Sequence, residues 1–173
     1  GESFSHLYEN YRLAMIALHT DDKKAAKKPL DHIRKTLKGN YQTADEAALY
    51  SAALGQSITL KPWQAAFIAG GAEDALDLSF ELTDAHAPTL MVKAIAKYNT
   101  PSLMGGDKAE ALALFNAAIE LYETNEAWGY EDALLWKAKA EHALGNTEQA
   151  EQTREKLLAL YPSYYEVQAL VFE

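Results

Sequence analysis

Apolar positions recur with a helical period along almost the whole chain. In the first segment, residues 2–18, Leu7, Tyr11, Ala14 and Leu18 are spaced so that they share one helix face. No segment alternates β-branched and polar residues as a half-buried strand would, and Ala and Leu far outnumber Val. The pattern therefore predicts an all-α protein.

Helix start and stop signals divide this pattern into segments. Thr20, Asp21 and Asp22 are candidate N-cap residues for a second helix, which ends near Gly39 and is expected to kink or restart at Pro29. Thr43 and Glu46 form a capping-box pair that opens a third helix. Residues 99–106 contain Pro and paired Gly, so they predict a loop. Further helices are expected at about 63–69, 72–82 (beyond the paired Gly70 and Gly71), 88–98, 107–122, 131–144, 147–160 and 163–172.

Residues 132–162 carry small residues, a glycine and a proline at regular positions. These are Ala138, Gly145, Ala150 and Pro162, with Leu144, Leu158 and Leu160 at further apolar positions. The segment resembles a tetratricopeptide repeat, in which small residues lie where two helices cross, Gly forms the turn and Pro follows the second helix. Arg154 departs from the family pattern, which usually has an aromatic residue there.

Earlier segments resemble the same repeat less completely. The matching positions are Gly106, Asp107, Ala111, Phe115 and Ala118 in one segment, Leu13, Ala14, Asp22 and Ala26 in the first segment, and Leu54, Gly55 and Ala75 in the degenerate segment 43–87. The resemblance implies one tetratricopeptide-like domain over residues 1–173. It would be an antiparallel helix-pair solenoid of about four pairs, two of them degenerate, plus a C-terminal capping helix at 163–172. The loop before Asp107 also resembles bacterial exported proteins of this type, including helical-repeat components of some TRAP transporters.

Composition narrows the classes of partner. The net charge is −9, which repels phosphate backbones and disfavours nucleic acid as a partner. No run of apolar residues is long enough to insert into a membrane. Cysteine is absent, which excludes disulfides and thiol chemistry. The chain begins with Gly1 and not with Met, so we expect a periplasmic or secreted protein, with a cytoplasmic location left open.

The sequence offers no compact constellation for catalysis, metal binding or a cofactor. The five His residues are dispersed, and no pair has the close spacing of two metal ligands on one helix. Asp107 follows Gly105 and Gly106 at a helix start, where a carboxylate caps the helix and opposes anion binding. We therefore expect no metal, no cofactor and no enzymatic activity.

The resemblance places ligands in a concave groove lined by the first helix of each pair. Carried onto this chain, those positions are Tyr8, Tyr11, Met15, Leu18, Met91, Ile95, Tyr98, Leu135, Lys139 and His142. Two interpretations stay open: these residues are core, with the groove filled by 164–172 or by 63–67, or they line an open apolar groove. The first functional hypothesis is a protein–protein interaction scaffold that binds a protein or peptide. The alternative is a periplasmic carrier or transporter-associated protein that binds an apolar small molecule or peptide.

Overall fold

The computed structural model describes residues 1–164, Leu170 and Phe172. Within these residues the secondary structure is helical and includes no strand, which confirms the all-α prediction. None of the described helices is both long and apolar enough to cross a bilayer. The helices are α1 (Phe4–His19), α2 (Lys23–Leu37), α3 (Ala44–Leu60), α4 (Ala65–Leu82), α5 (Ala87–Asn99), α6 (Lys108–Thr124), α7 (Tyr130–Ala143) and α8 (Thr147–Leu160), with short 3₁₀ turns at Pro62–Gln64 and Ser102–Met104.

Side-chain caps fix where several of these helices begin. The Asp22 carboxylate accepts a hydrogen bond from the backbone N–H of Ala25 at 3.0 Å and starts α2. Thr43 and Glu46 form the expected reciprocal capping box of α3. Asp107 accepts hydrogen bonds from two backbone N–H groups in the first turn of α6, both at 2.9 Å. The carboxylate thus satisfies the free N–H groups of the helix end, as the sequence predicted.

The chain forms two compact units, residues 1–84 and residues 85–173. In the first unit α1 packs on α2, α2 on α3, and α3 on α4. In the second unit α5 packs on α6, α6 on α7, and α7 on α8. Each unit therefore holds two tetratricopeptide-like helix pairs, which together give the four pairs expected from the sequence. The prediction that residues 1–173 make one domain stays a prediction.

The alanines at the helix-crossing positions expected from the sequence are fully buried. A methyl side chain lets two helix backbones approach closely, so larger neighbours on each side can interdigitate. Leu7, Tyr11 and Met15 fill the first unit in this way, and Phe115, Leu134 and Leu157 fill the second. The crossing residues named from the sequence are all without solvent exposure: Ala14, Ala26, Ala75, Ala111, Ala118, Ala138 and Ala150.

Two positions at which the sequence suggested a break lie within continuous helices. Helix α4 runs through Gly70 and Gly71 without interruption, and a Cβ on Gly71 would lie 3.6 Å from Cδ1 of Leu54 on α3. Glycine costs a helix about 1 kcal/mol relative to Ala but does not end it, and here the neighbouring helix supports it. Helix α2 likewise continues through Pro29 without restarting, and the kink expected there stays a prediction. The predicted capping helix at 163–172 lies mostly outside the described residues.

The loop at 99–106 is closed by backbone hydrogen bonds. The N–H of Gly106 donates to the carbonyl of Pro101 at 3.1 Å, and the N–H of Asp107 donates to the carbonyl of Lys97 at 3.0 Å. A Cβ placed on Gly106 would overlap the backbone carbonyl of Thr100. The close approach of two backbone segments therefore requires glycine at this position.

We expect Gly106→Ala to lower the free energy of unfolding by about 2–3 kcal/mol, because the added methyl group meets backbone and no flexible side chain can move aside. The matched control is Gly70→Ala, where no atom lies within 4 Å of the added Cβ. This control should be neutral or stabilising by about 0.4–1 kcal/mol. Urea unfolding followed by far-ultraviolet circular dichroism measures both, and a wild-type midpoint for Gly106→Ala would contradict this explanation of the loop.

Candidate functional site

Five of the ten predicted groove residues lie in the core. Tyr11, Met91 and Leu135 have no solvent exposure, Met15 has 1% and Ile95 has 7%. They offer no surface to a ligand in this structure, whether that ligand is a peptide or an apolar small molecule. The other five predicted residues are only partly buried: Tyr8 and Leu18 on α1, Tyr98 on α5, and Lys139 and His142 on α7.

The second unit brings two of these partly buried residues together with two others. Tyr98 lies in the last turn of α5, Trp136 and Lys139 lie one turn apart on α7, and Lys108 opens α6. The Tyr98 and Trp136 rings are 5.4 Å apart between centroids and meet edge to face. We call these four residues the aromatic–lysine cluster. It joins the two predicted groove residues Tyr98 and Lys139 to a tryptophan and a lysine that the sequence interpretation did not include.

Both lysines of the aromatic–lysine cluster lie over aromatic rings. The Lys139 Nζ is 4.0 Å from the Trp136 ring centroid and 6.0 Å from that of Tyr98. The Lys108 Nζ is 4.7 Å from the Tyr98 ring centroid and also donates to the backbone carbonyl of Tyr98 at 3.4 Å. These distances lie in the range of cation–π attraction, which contributes about 0.5–1 kcal/mol per pair at partly exposed sites.

Burial shapes the protonation of the aromatic–lysine cluster. Loss of hydration lowers the pKa of Lys139, because the ammonium form loses more hydration energy than the amine form. Burial raises the pKa of Tyr98, so its hydroxyl stays neutral at ordinary pH. Within the residues described, neither Lys108 nor Lys139 forms an ion pair with a carboxylate. The aromatic–lysine cluster thus presents positive charge beside an aromatic face on a chain whose net charge is −9.

Residues after α8 contact both ends of α7. The Tyr164 hydroxyl donates a hydrogen bond to the buried carboxylate of Asp132, and the Phe172 ring lies 4.9 Å from the His142 ring between centroids. At these two positions the chain itself occupies the face of α7. This agrees with the interpretation in which the end of the chain fills the groove, although Tyr165, Val167 and Val171 lie outside the described residues. Within the first unit, residues 63–67 do not fill a groove, because the side chains of Trp63 and Phe67 are 66% and 78% exposed.

The two buried carboxylates of α7 have structural partners. Asp132 accepts from Tyr164, and Glu141 accepts from the Thr153 hydroxyl on α8 at 2.9 Å and lies 3.6 Å from the Lys137 ammonium. Hydroxyl donors of this kind stabilise an ionised carboxylate in the interior. Both acids therefore tie α7 to the segments packed on it.

The described residues also include one group with metal-ligand chemistry. Glu2, His6 and His32 place one ligand atom each within 4.8 Å of one another. The spacing of histidines along the sequence does not show this group, because His6 lies on α1 and His32 lies on α2. His6 and His32 are equally distant in sequence from His19, the last residue of α1. In a helix pair that turns just after His19, these two residues are expected to lie side by side.

Comparison with known protein families gives a match over the last helix pair. Residues 132–164 match the family described as tetratricopeptide repeat. This segment contains the buried face of α7, the whole of α8 and Tyr164, and it coincides with the repeat inferred from Ala138, Gly145 and Ala150. Neither the curated proteins nor the solved structures include a significant match to the chain.

The hydrogen bond between Tyr164 and Asp132 gives a stability prediction. Tyr164→Phe removes the hydroxyl donor from a buried carboxylate, so we expect the free energy of unfolding to fall by about 1–3 kcal/mol. Tyr161→Phe is the matched control, because no hydrogen bond of the Tyr161 hydroxyl occurs within the described residues. Chemical unfolding of both variants measures the difference, and equal midpoints would show that the contact does not hold Tyr164 on α7.

Proposed function

We propose that this tetratricopeptide-repeat protein is a non-enzymatic scaffold that binds another protein or a peptide through the aromatic–lysine cluster of its second unit. The main support for the proposal is that Lys108 and Lys139 each lie over an aromatic ring. Within the described residues, neither lysine has a carboxylate partner. Tetratricopeptide repeats are generally scaffolds for protein–protein interaction, and the matched segment contains Trp136 and Lys139.

An acidic group next to an apolar side chain fits this surface best. The Lys139 ammonium has lost hydration, and no described carboxylate compensates for that loss. A carboxylate supplied by a partner would offset this cost in a partly dehydrated setting, where ion pairs are stronger than in bulk water. The half-buried Tyr98 ring would meanwhile pack against an aromatic or aliphatic side chain of the same partner.

The rigid setting of Tyr98 and Trp136 favours binding of a partner. Both rings lie on helices, and Trp136 is 5% exposed, so little side-chain freedom is left to lose when a partner binds. Aromatic residues that are fixed before binding are frequent anchors of protein interfaces. Lys108 and Lys139 would then select for partner charge, and the exposed part of the Tyr98 ring, held in place by Trp136, would supply the aromatic contact.

The proposal predicts the composition of peptides that the protein selects from a random library. We expect enrichment of Asp or Glu beside an aromatic residue, and calorimetry should show that Tyr98→Ala and Lys139→Met each weaken binding by about tenfold or more. Raising the salt concentration from about 0.1 M to about 1 M should also weaken binding, because the ion pair is screened. Lys139→Met should stay folded, because it removes a dehydrated charge from a half-buried position.

Phe67→Ala is the matched control for this experiment. Phe67 is also aromatic and lies in the first unit, where it is 78% exposed and contacts Trp63 at 6.1 Å between ring centroids. Binding to this variant should equal binding to the wild type. Selected peptides that bind Tyr98→Ala and Lys139→Met as tightly as the wild type, or that lose binding to Phe67→Ala, would refute the proposed surface.

A further inference from the structure

Three side chains at the open end of the first helix pair converge on one point. The Glu2 carboxylate precedes α1, His6 lies in the first turn of α1, and His32 lies near the end of α2. One Glu2 oxygen is 3.0 Å from the His6 Nε2, and both Glu2 oxygens are 2.9 Å from the His32 Nε2. The two imidazoles meet edge to face, with ring centroids 6.1 Å apart. Two nitrogen ligands and one carboxylate therefore face a common centre.

These distances suit a transition-metal ion. Zn²⁺ binds imidazole nitrogen and carboxylate oxygen at about 2.0–2.2 Å, which puts neighbouring ligands of a tetrahedral site about 3.4 Å apart. The observed nitrogen-to-oxygen distances are 2.9 and 3.0 Å. An opening of about half an ångström would seat the ion, and side chains that are 23–57% exposed can move that far.

Neighbouring groups would orient the ligands. The second nitrogen of His6, Nδ1, lies 3.5 Å from the Glu9 carboxylate, which can accept a hydrogen bond from the Nδ1–H and leave the Nε2 lone pair free to bind the ion. The Thr36 hydroxyl donates to a Glu2 oxygen at 3.5 Å. Carboxylate and hydroxyl partners of this kind commonly fix the tautomer and direction of metal ligands. The exposed sides of His6 and His32 border a surface pocket between α1 and α2, so water can complete the coordination.

The donor set also selects the class of metal. Two imidazoles and one carboxylate suit Zn²⁺ and similar divalent transition metals. Mg²⁺ and Ca²⁺ prefer six or more oxygen ligands, which this group does not offer.

We propose that Glu2, His6 and His32 form a binding site for a divalent transition-metal ion of the Zn²⁺ class. The ion would join the segment before α1 to both helices of the first pair and hold their open end together. Without an ion, the same residues form a hydrogen-bonded group around the Glu2 carboxylate, which keeps the ligands close to the binding geometry. The site lies in the first unit and is independent of the proposed peptide surface in the second.

Titration of untagged protein with ZnCl₂ tests the site by calorimetry. We expect one Zn²⁺ per chain, and no binding heat when MgCl₂ replaces ZnCl₂. His6→Gln and His32→Gln should each weaken Zn²⁺ binding by at least about tenfold, because removal of a ligand costs no less than removal of an orienting partner. His19→Gln is the matched control, since His19 also lies on α1 but is not part of the group.

NMR of the imidazole nitrogens identifies the ligands independently of affinity. Addition of Zn²⁺ should move the ring signals of His6 and His32 and leave those of His19, His86 and His142 in place. Circular dichroism checks that each variant is folded as the wild type is. Equal affinity of the wild type and both ligand variants, failure to saturate at one ion per chain, or movement of the other histidine signals would overturn the assignment.

Discussion

The fold is organised around alanines that are buried completely between packed helices. Ala14 and Ala26 in the first pair, and Ala138 and Ala150 in the last, have no solvent exposure. A larger side chain at such a position would separate the helices and leave voids around the residues that fill the core. Tyr11, which lies on the same helix as Ala14, is itself buried completely.

The same packing decides which residues remain for function. Because the inner faces of the helices are used for burial, Met15, Met91 and Leu135 lie in the core with at most 1% exposure. Some residues near helix ends are less buried than those on the inner faces, since the chain turns away from the neighbouring helix there. Tyr98 at the end of α5 and Lys108 at the start of α6 are of this kind, as are His6 and His32 at the open end of the first pair.

Most of the fold could be predicted from the sequence because its signals are local. The capping box at Thr43 and the cap at Asp107 act within one turn, and the small residues of the last repeat follow a fixed spacing. The absence of a break at Gly70 and of a restart at Pro29 has a common cause. Intrinsic propensity penalises glycine and proline within a helix, and contacts with neighbouring helices outweigh that penalty.

The candidate site could be predicted only in part. Family positions identified Tyr98 and Lys139, and periodicity could not tell these from Met91 and Leu135, because a buried face and a binding face have the same spacing. Trp136 was missed because its contact with Tyr98 joins α5 to α7. The group of Glu2, His6 and His32 was missed because it joins two helices, and ligand spacing within a single helix cannot show it.

NMR mapping of a bound peptide is the sharpest test that the aromatic–lysine cluster binds a partner, since it locates the binding surface without any substitution. The peptide should combine an acidic residue with an aromatic one, and the spectra should follow backbone and side-chain signals of both units. If the aromatic–lysine cluster binds the peptide, the largest shifts occur at Tyr98, Lys108, Trp136 and Lys139. Shifts confined to the exposed pair Trp63 and Phe67 would contradict it and place the interaction surface on the first unit.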